Sequence, residues 1–358
     1  MNKKDIRDFT LEELKKELEG IQEPAYRANQ IFFWLYQRGP LDFNDFTNLP
    51  QRLRDNLRDR YFIRDLELKK RLRSRDKTEK FLFKLRDGNF IETVLIPAES
   101  GRKTVCLSTQ VGCKFACSFC ASGLGGFTRN LRPGEMTGQV LFLQNRLKYH
   151  LTNFVFMGMG EPLDNYENVT KAILIMNSRQ SMGIAARRIT ISTSGVIPGI
   201  ERLKNFGLQV NLSLSLHAVS NELRNKLMPI NKKYPLEKLI EVCEDFIEAS
   251  GRKITLEYVL IQDMNDSKQD AEGLATIARR LRAKVNLIPY SFVCGLDYKA
   301  PSKSGMVEFM SLLEKKNVRV TLRSSKGQDI QAACGQLAGR RGSNNASMDE
   351  DAIAFKKI

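Results

Sequence analysis

The stretch "TVCLSTQVGCKFACSFC", residues 104–120, decides how the rest of the chain is read. Its opening, "TVCLST", is a short β-rich run of the kind that forms a strand. Gly112 then leads into a loop that sets Cys113, Cys117 and Cys120 four and then three positions apart. Three thiols this close, with no fourth partner nearby, point to a shared ligand. Lys114 and Ser118 interrupt the set and glycines surround it, which argues against three packed structural thiols.

From this strand onward, β-rich runs alternate with amphipathic helical stretches. Strands are expected to begin near residues 104, 153, 188, 210, 254 and 285, with helices over 134–148, 165–178, 235–249 and 268–282. This rhythm predicts a mostly parallel sheet with crossover helices. Six units are too few for a closed eight-stranded barrel, so the expected fold is α/β, a partial (β/α)6 barrel open on one side. A further strand, "VRVTLRS", follows a helix near 303–316. Loops at the carboxyl ends of parallel strands build active sites. Here those ends carry the cysteine loop, "GMGEP", "STSG", "SLH" and "PYS", so one ligand can touch them all.

Upstream the pattern is different. Thr10 and Glu13 form a capping-box pair before Leu11, Leu14 and Leu18, and a second helix carries Ile31, Trp34 and Leu35 before Gly39-Pro40. "KFLFKL" and "FIETVLIP" predict a β-hairpin around Asp87-Gly88. The expected organisation is a small N-terminal helical domain over 1–79, a hairpin connector over 80–102, the barrel over 103–339 and a flexible polar tail over 340–358.

The formal net charge of +16 makes a polyanion the first partner to consider. Lys69, Lys70, Arg71, Arg73, Arg75, Lys77, Lys80 and Lys84 concentrate that charge in one segment, which reads as a nucleic-acid-binding surface or as a solvated strand or helix face. No apolar run approaches the length of a membrane span, and no secretion signal is read at the N-terminus. Seven cysteines, an odd number, suit a reducing compartment better than a disulfide framework. The protein is therefore expected in the cytoplasm.

Structural zinc wants four ligands, usually in two separated pairs, and the only histidines are His150 and His217. A catalytic zinc on three thiolates is an alternative, but such sites usually carry a histidine and a nearby base. Three thiolates on a four-iron cluster leave one iron open to a substrate, which fits the segment better.

The Cx3CxxC loop after a first barrel strand resembles the signature of radical S-adenosylmethionine (SAM) enzymes, and "GMGEP" resembles their methionine-binding strand end. The likeness extends over nearly the whole chain. "EPAYRANQI", "ETVLIP", "CLSTQVGCKFACSFCASGLGGFTRNL", "FMGMGEPLDN", "STSGVIPGI", "SLSLHA", "MPINKKY" and "DIQAACGQLAG" together resemble the RlmN family of RNA methyltransferases. The resemblance implies a [4Fe-4S] cluster on Cys113, Cys117 and Cys120. It also implies methylation of adenine C2 in large-subunit ribosomal RNA at the peptidyl-transferase centre, with tRNA a further substrate in some members. Related Cfr enzymes methylate C8, and "GMGEPLDN" and "STSGV" look more like the C2 group. A non-catalytic, metal-stapled RNA-binding protein would explain the charge but not the remaining matches.

An adenine C2–H has no useful acidity and little nucleophilicity, so a radical route is needed. The family pattern makes Cys334 the methyl carrier, loaded by one SAM and activated by a second. Cys106 would be the resolving cysteine that closes a transient disulfide bond with Cys334, and Glu92 a proton acceptor. Gly160, Glu161, Ser192, Ser215, Leu216, His217 and Ser291 are implied to bind SAM. Two departures stand out: Ser291 replaces a usual asparagine, and "SSKGQDI" replaces the more usual "TRGDDI". Cys243 and Cys294 match no catalytic position and read as structural. The implied partners are ribosomal RNA, tRNA and an electron donor such as flavodoxin or ferredoxin, acting on a monomer without a membrane.

Overall fold

The computed structural model describes residues 3–40, 42–63 and 65–339; the tail expected over 340–358 lies outside them. Among the described residues no helix is long and apolar enough to cross a membrane.

Three helices open the chain: α1 (Leu11–Glu19), α2 (Tyr26–Phe33) and α3 (Gln51–Arg60). The capping box expected at α1 forms, with the Glu13 amide donating to Thr10 Oγ1 at 3.2 Å and the Thr10 amide to Glu13 Oε2 at 2.9 Å. α2 continues as a π-helical turn, Trp34–Arg38, and stops at Gly39, whose φ of 66° is the left-handed cap that glycine adopts without strain. Leu14, Leu18, Ile31, Phe32, Leu53 and Leu57 form this module's own core.

One ten-stranded sheet follows, and its spatial order is its chain order. The strands are β1 (Glu67–Arg73), β2 (Glu79–Lys84), β3 (Phe90–Pro97), β4 (Lys103–Cys106), β5 (Asn153–Phe156), β6 (Ile189–Thr193), β7 (Asn211–Ser215), β8 (Thr255–Leu260), β9 (Lys284–Pro289) and β10 (Val320–Leu322). β4 to β10 run parallel, giving the six expected strands plus the seventh at "VRVTLRS". Helices α4 (Pro133–Leu141), α5 (Tyr166–Asn177), α6 (Leu236–Ser250), α7 (Lys268–Arg280) and α8 (Lys303–Lys315) lie in the crossovers. Val105, Phe154, Ile191, Leu214, Leu256 and Leu287 are shielded from solvent at the centre of this sheet.

The hairpin of β2 and β3 forms around Asp87-Gly88. It is not a free connector, because β3 pairs antiparallel with β4 and β2 with β1. Residues 67–79, grouped in the sequence reading with the helices, are a strand and turn at the edge of this sheet. That placement divides the basic segment. Lys69, Lys70, Arg73, Arg75 and Lys77 are exposed, whereas Lys80 is buried and Arg71 is held by Glu79 and Tyr149. Edge strands carry such lysines without aggregating.

The helical module docks on the barrel through α4 and α5, which lend Leu141 and Ile175 to its core. At the start of α4 the Gly134 amide donates to Asp8 Oδ1 at 2.9 Å. A Cβ at Gly134 would lie 2.9 Å from Asp5 Oδ2 and 3.1 Å from Arg7 Cβ, so the approach depends on glycine. Gly134→Val is expected to cost about 1–3 kcal/mol by overpacking and to expose the N-terminal helices. Denaturant titration and limited proteolysis of the module check it.

Candidate active site

The strand ends of the parallel sheet converge on one cavity lined by Cys113, Cys117, Cys120, Gly160, Glu161, Ser192, Ser215, His217, Ser291 and Cys334. Ten of the thirteen residues singled out from sequence therefore share one site. Leu216, Cys106 and Glu92 do not line it.

The thiol loop is shaped by its neighbours. Gly112 has φ 73°, and a Cβ there would fall 1.8 Å from the Gly126 carbonyl oxygen, so the small hairpin beneath the loop closes only around glycine. The Cys113 amide donates to that oxygen at 2.9 Å, and the Ser118 amide donates to Leu227 O at 3.0 Å. Burial pushes the Cys113 thiol up to about 12 and raises Cys117 and Cys120 as well. Thiols in this setting give up their protons when a metal centre takes the charge. Three thiols on one loop, which carries no histidine or fourth thiol, are the donor set that a four-iron cluster with one open iron takes.

After β5 the backbone passes through Gly160, φ 96°, where a Cβ would lie 2.5 Å from Gln110 Cβ. This packing fixes Glu161. Its carboxylate accepts from the Ser194 amide at 2.7 Å, Ser194 Oγ at 2.8 Å and the Leu163 amide at 3.0 Å. Burial raises its pKa against those hydrogen bonds. No cation faces it at ion-pair distance among the described residues, so the site suits an incoming ammonium group. Ser192 Oγ and Ser215 Oγ lie 3.4 Å apart beside it.

His217 occupies a left-handed conformation, φ 58°, an uncommon one for a residue with a side chain. Its Nδ1 accepts from the Val259 amide at 3.1 Å, which places the ring proton on Nε2. Burial, with Arg224 adding to it, lowers its pKa to about 3, so it is a neutral donor across the physiological range. Leu216 contributes backbone only: its amide donates to Glu257 O at 3.0 Å and its carbonyl accepts from Arg224 Nε at 3.1 Å. Ser291 meets the other departure, since Gln328 Nε2 donates to Ser291 Oγ at 3.1 Å.

Arg224 and Glu257 are buried charged residues that the sequence did not single out. Each sits in an otherwise ordinary helix or strand pattern, and nothing local marks it as inward-facing.

Cys334 is exposed on its loop yet lines the cavity, and the Cys106 thiol is buried on β4. Burial pushes the Cys106 thiol up, and Cys334 adds to that shift. Both are free thiols. Glu92 grips the same loop: its Oε2 accepts from the Ala338 amide at 2.7 Å and the Gly339 amide at 3.1 Å, and its Oε1 pairs with Lys80 Nζ at 3.0 Å. Lys80 also donates to Gln331 O at 3.0 Å. The turn between β1 and β2 adds Ser74 Oγ to Asp329 Oδ1 at 2.6 Å and the Gly327 amide to Asp76 Oδ2 at 2.9 Å. The Cys334 loop is thus held on both sides by the antiparallel strands. Lys80→Met is expected to speed amide exchange over 327–339 by about tenfold or more, because removing one partner leaves a buried charge uncompensated. Lys80→Arg should preserve protection; hydrogen-exchange mass spectrometry reads both.

Residues 4–63 match the ribosomal RNA large subunit methyltransferase N-terminal domain, and residues 107–274 match the radical SAM superfamily. A probable dual-specificity RNA methyltransferase RlmN of Caldicellulosiruptor saccharolyticus is 45% identical over 335 residues, 94% of this chain and 97% of that protein. One from Geobacillus kaustophilus is 46% identical over 338 residues, 94% of this chain and 92% of its own. The crystal structure of a radical SAM methyltransferase from Sphaerobacter thermophilus matches with a TM-score of 0.89 at 42% identity, covering 94% of this chain and 100% of that one. Because the thiol loop, the glycine-bounded carboxylate and the clamped cysteine lie within a likeness spanning nearly the full length, the chain belongs to the RlmN family of radical SAM methyltransferases.

Proposed function

We propose that this protein methylates C2 of an adenine in large-subunit ribosomal RNA, with tRNA as a second substrate, using Cys334 as the methyl carrier. The observation that carries the reading is the position of Cys334: an accessible thiol on the wall of the cavity shared with Cys113, Glu161 and His217. The names of the two relatives, dual-specificity RNA methyltransferases, support RNA as the substrate.

When bound, a four-iron cluster on Cys113, Cys117 and Cys120 and two SAM molecules per turnover would supply the radical and methyl chemistry that an unactivated aromatic C–H needs. The chain's own residues orient and resolve. Glu161 and Ser194 receive an ammonium group, and His217 offers its Nε2–H. Cys334 loses its thiol proton, takes the methyl group as a thioether and presents it to the base. Once the adduct has given up its odd electron, which the bound cluster would take back, Cys106 as thiolate removes the proton from the substituted base carbon and passes it on. Its sulfur then bonds to the Cys334 sulfur as the S–C bond breaks, the electron pair going to the methylene carbon, which takes a proton to become the methyl group. The disulfide is left for an external thiol reductant. Glu92 can accept a proton only once the loop releases its carboxylate, which links that role to loop movement.

Anaerobic reconstitution, reaction with both RNAs and nucleoside mass analysis test the proposal, 2-methyladenosine being the expected product and 8-methyladenosine the contrary one. Cys334→Ala should abolish methyl loading and adduct formation, whereas Cys106→Ala should accumulate a covalent protein–RNA species attached at Cys334. Turnover by both variants with iron content intact would contradict the scheme.

The exposed bases of β1 and its turn supply nonspecific RNA affinity. Replacing Lys70, Arg73, Arg75 and Lys77 by glutamine should lower the slope of log K against log salt by roughly three. Filter binding over a salt series measures it.

A further inference from the structure

The side chain of Glu257 has no role in the scheme above, yet the cavity is partly built on it. It is 3% exposed and lines the cavity. Its Oε1 accepts from Asn286 Nδ2 at 3.0 Å and Ser213 Oγ at 3.2 Å. Its Oε2 is buried and has no hydrogen-bond partner. A buried carboxylate oxygen without a donor is costly, and native structures rarely leave one so. The wall is therefore shaped for a donor that arrives with a ligand.

The order of the strands says which part of the ligand that is. Ser215, Glu257 and Asn286 stand in one register row across β7, β8 and β9. Glu161 lies beyond the end of β5, Ser192 on β6 and Ser291 beyond β9. This step rests on the proposed reading, in which Glu161 meets the amino group of SAM and Ser291 its adenosyl end. A molecule laid between those two points crosses β6, β7 and β8 with its sugar in the middle. We infer that Glu257 is a positioning residue that accepts a hydrogen bond from a ribose hydroxyl of SAM through Oε2. A carboxylate oxygen discriminates strongly between a sugar that carries the hydroxyl and one that lacks it, because the deoxy ligand leaves the buried acceptor unpaired.

The test uses the reconstituted holoenzyme under anaerobic conditions and three probes, S-adenosylhomocysteine and its 2′-deoxy and 3′-deoxy analogues, with Kd read by calorimetry. Wild type is expected to bind one deoxy analogue roughly ten- to a hundredfold more weakly than the parent. In Glu257→Gln, which keeps the side-chain volume and an oxygen for Ser213 and Asn286, that penalty should shrink to a few-fold. A merely structural role would weaken all three probes equally and leave the penalty untouched, which would overturn the inference. Equal binding of all three probes by wild type would overturn it without recourse to any variant. Failure of wild type to bind S-adenosylhomocysteine at all would instead sink the parent reading of the cavity, and this inference with it. Iron content and thermal midpoint of Glu257→Gln verify that the comparison is between folded proteins.

Discussion

The site depends on one buried guanidinium. Arg224 is fully shielded from solvent. It donates to the carbonyls of Ser194 at 2.7 Å, Leu216 at 3.1 Å and Ser215 at 3.3 Å, and to Asn231 Oδ1 at 2.9 Å. Those carbonyls belong to the ends of β6 and β7, which present Ser192, Ser194, Ser215 and His217. Loop backbone turned inward must find donors, and a rigid five-donor fork meets several at once without filling the cavity. All of these partners are neutral, and burial brings the Arg224 pKa down to about 10, with Cys117 opposing the shift. The same group thus sets the geometry of the ligand loops and the electrostatics beside the thiols.

A second constraint comes from the opposite side of the sheet. The antiparallel strands β1 to β3 do more than widen the sheet, since Lys80, Glu92 and the Ser74–Asp76 turn fasten the segment bearing Cys334. The exposed bases of β1 and the Cys334 loop therefore share one structural support. The two departures from the family pattern also touch each other. A serine reaches less far than an asparagine, and the longer Gln328 side chain reaches it from the neighbouring loop. The hydroxyl can still accept a second hydrogen bond from a ligand.

Much of this was legible in the sequence. Period-two runs such as "RITIST" and "VNLSLSL" identified the parallel strands, and "CKFACSFC" and "GMGEP" marked the ligand-bearing ends because their spacing and glycines have local physical causes. What was not legible depends on long-range pairing. Nothing local shows that β3 joins β4, so the hairpin read as a connector. Lys80 looked like one more base in a basic run until its partners, Glu92 and Gln331, came from other segments. Arg224 and Glu257 were indistinguishable from the surface charges around them. Cys106 and Cys334 lie 228 positions apart, and in the sequence only the family likeness connects them.

The strict agreement between spatial and chain order in the sheet also bears on how the protein is made. Each strand of the sheet pairs with the sheet strand before it, so the sheet can grow by addition as the chain leaves the ribosome. The exception is the last described segment, whose Asp329 and Gly327 return to Ser74 and Asp76 near the start of the sheet. That closure spans some 250 residues and comes last. Until then the three thiols stand beside a wall still missing one side. The order of synthesis itself therefore provides an interval in which the thiol loop is open on the side that the Cys334 loop later closes.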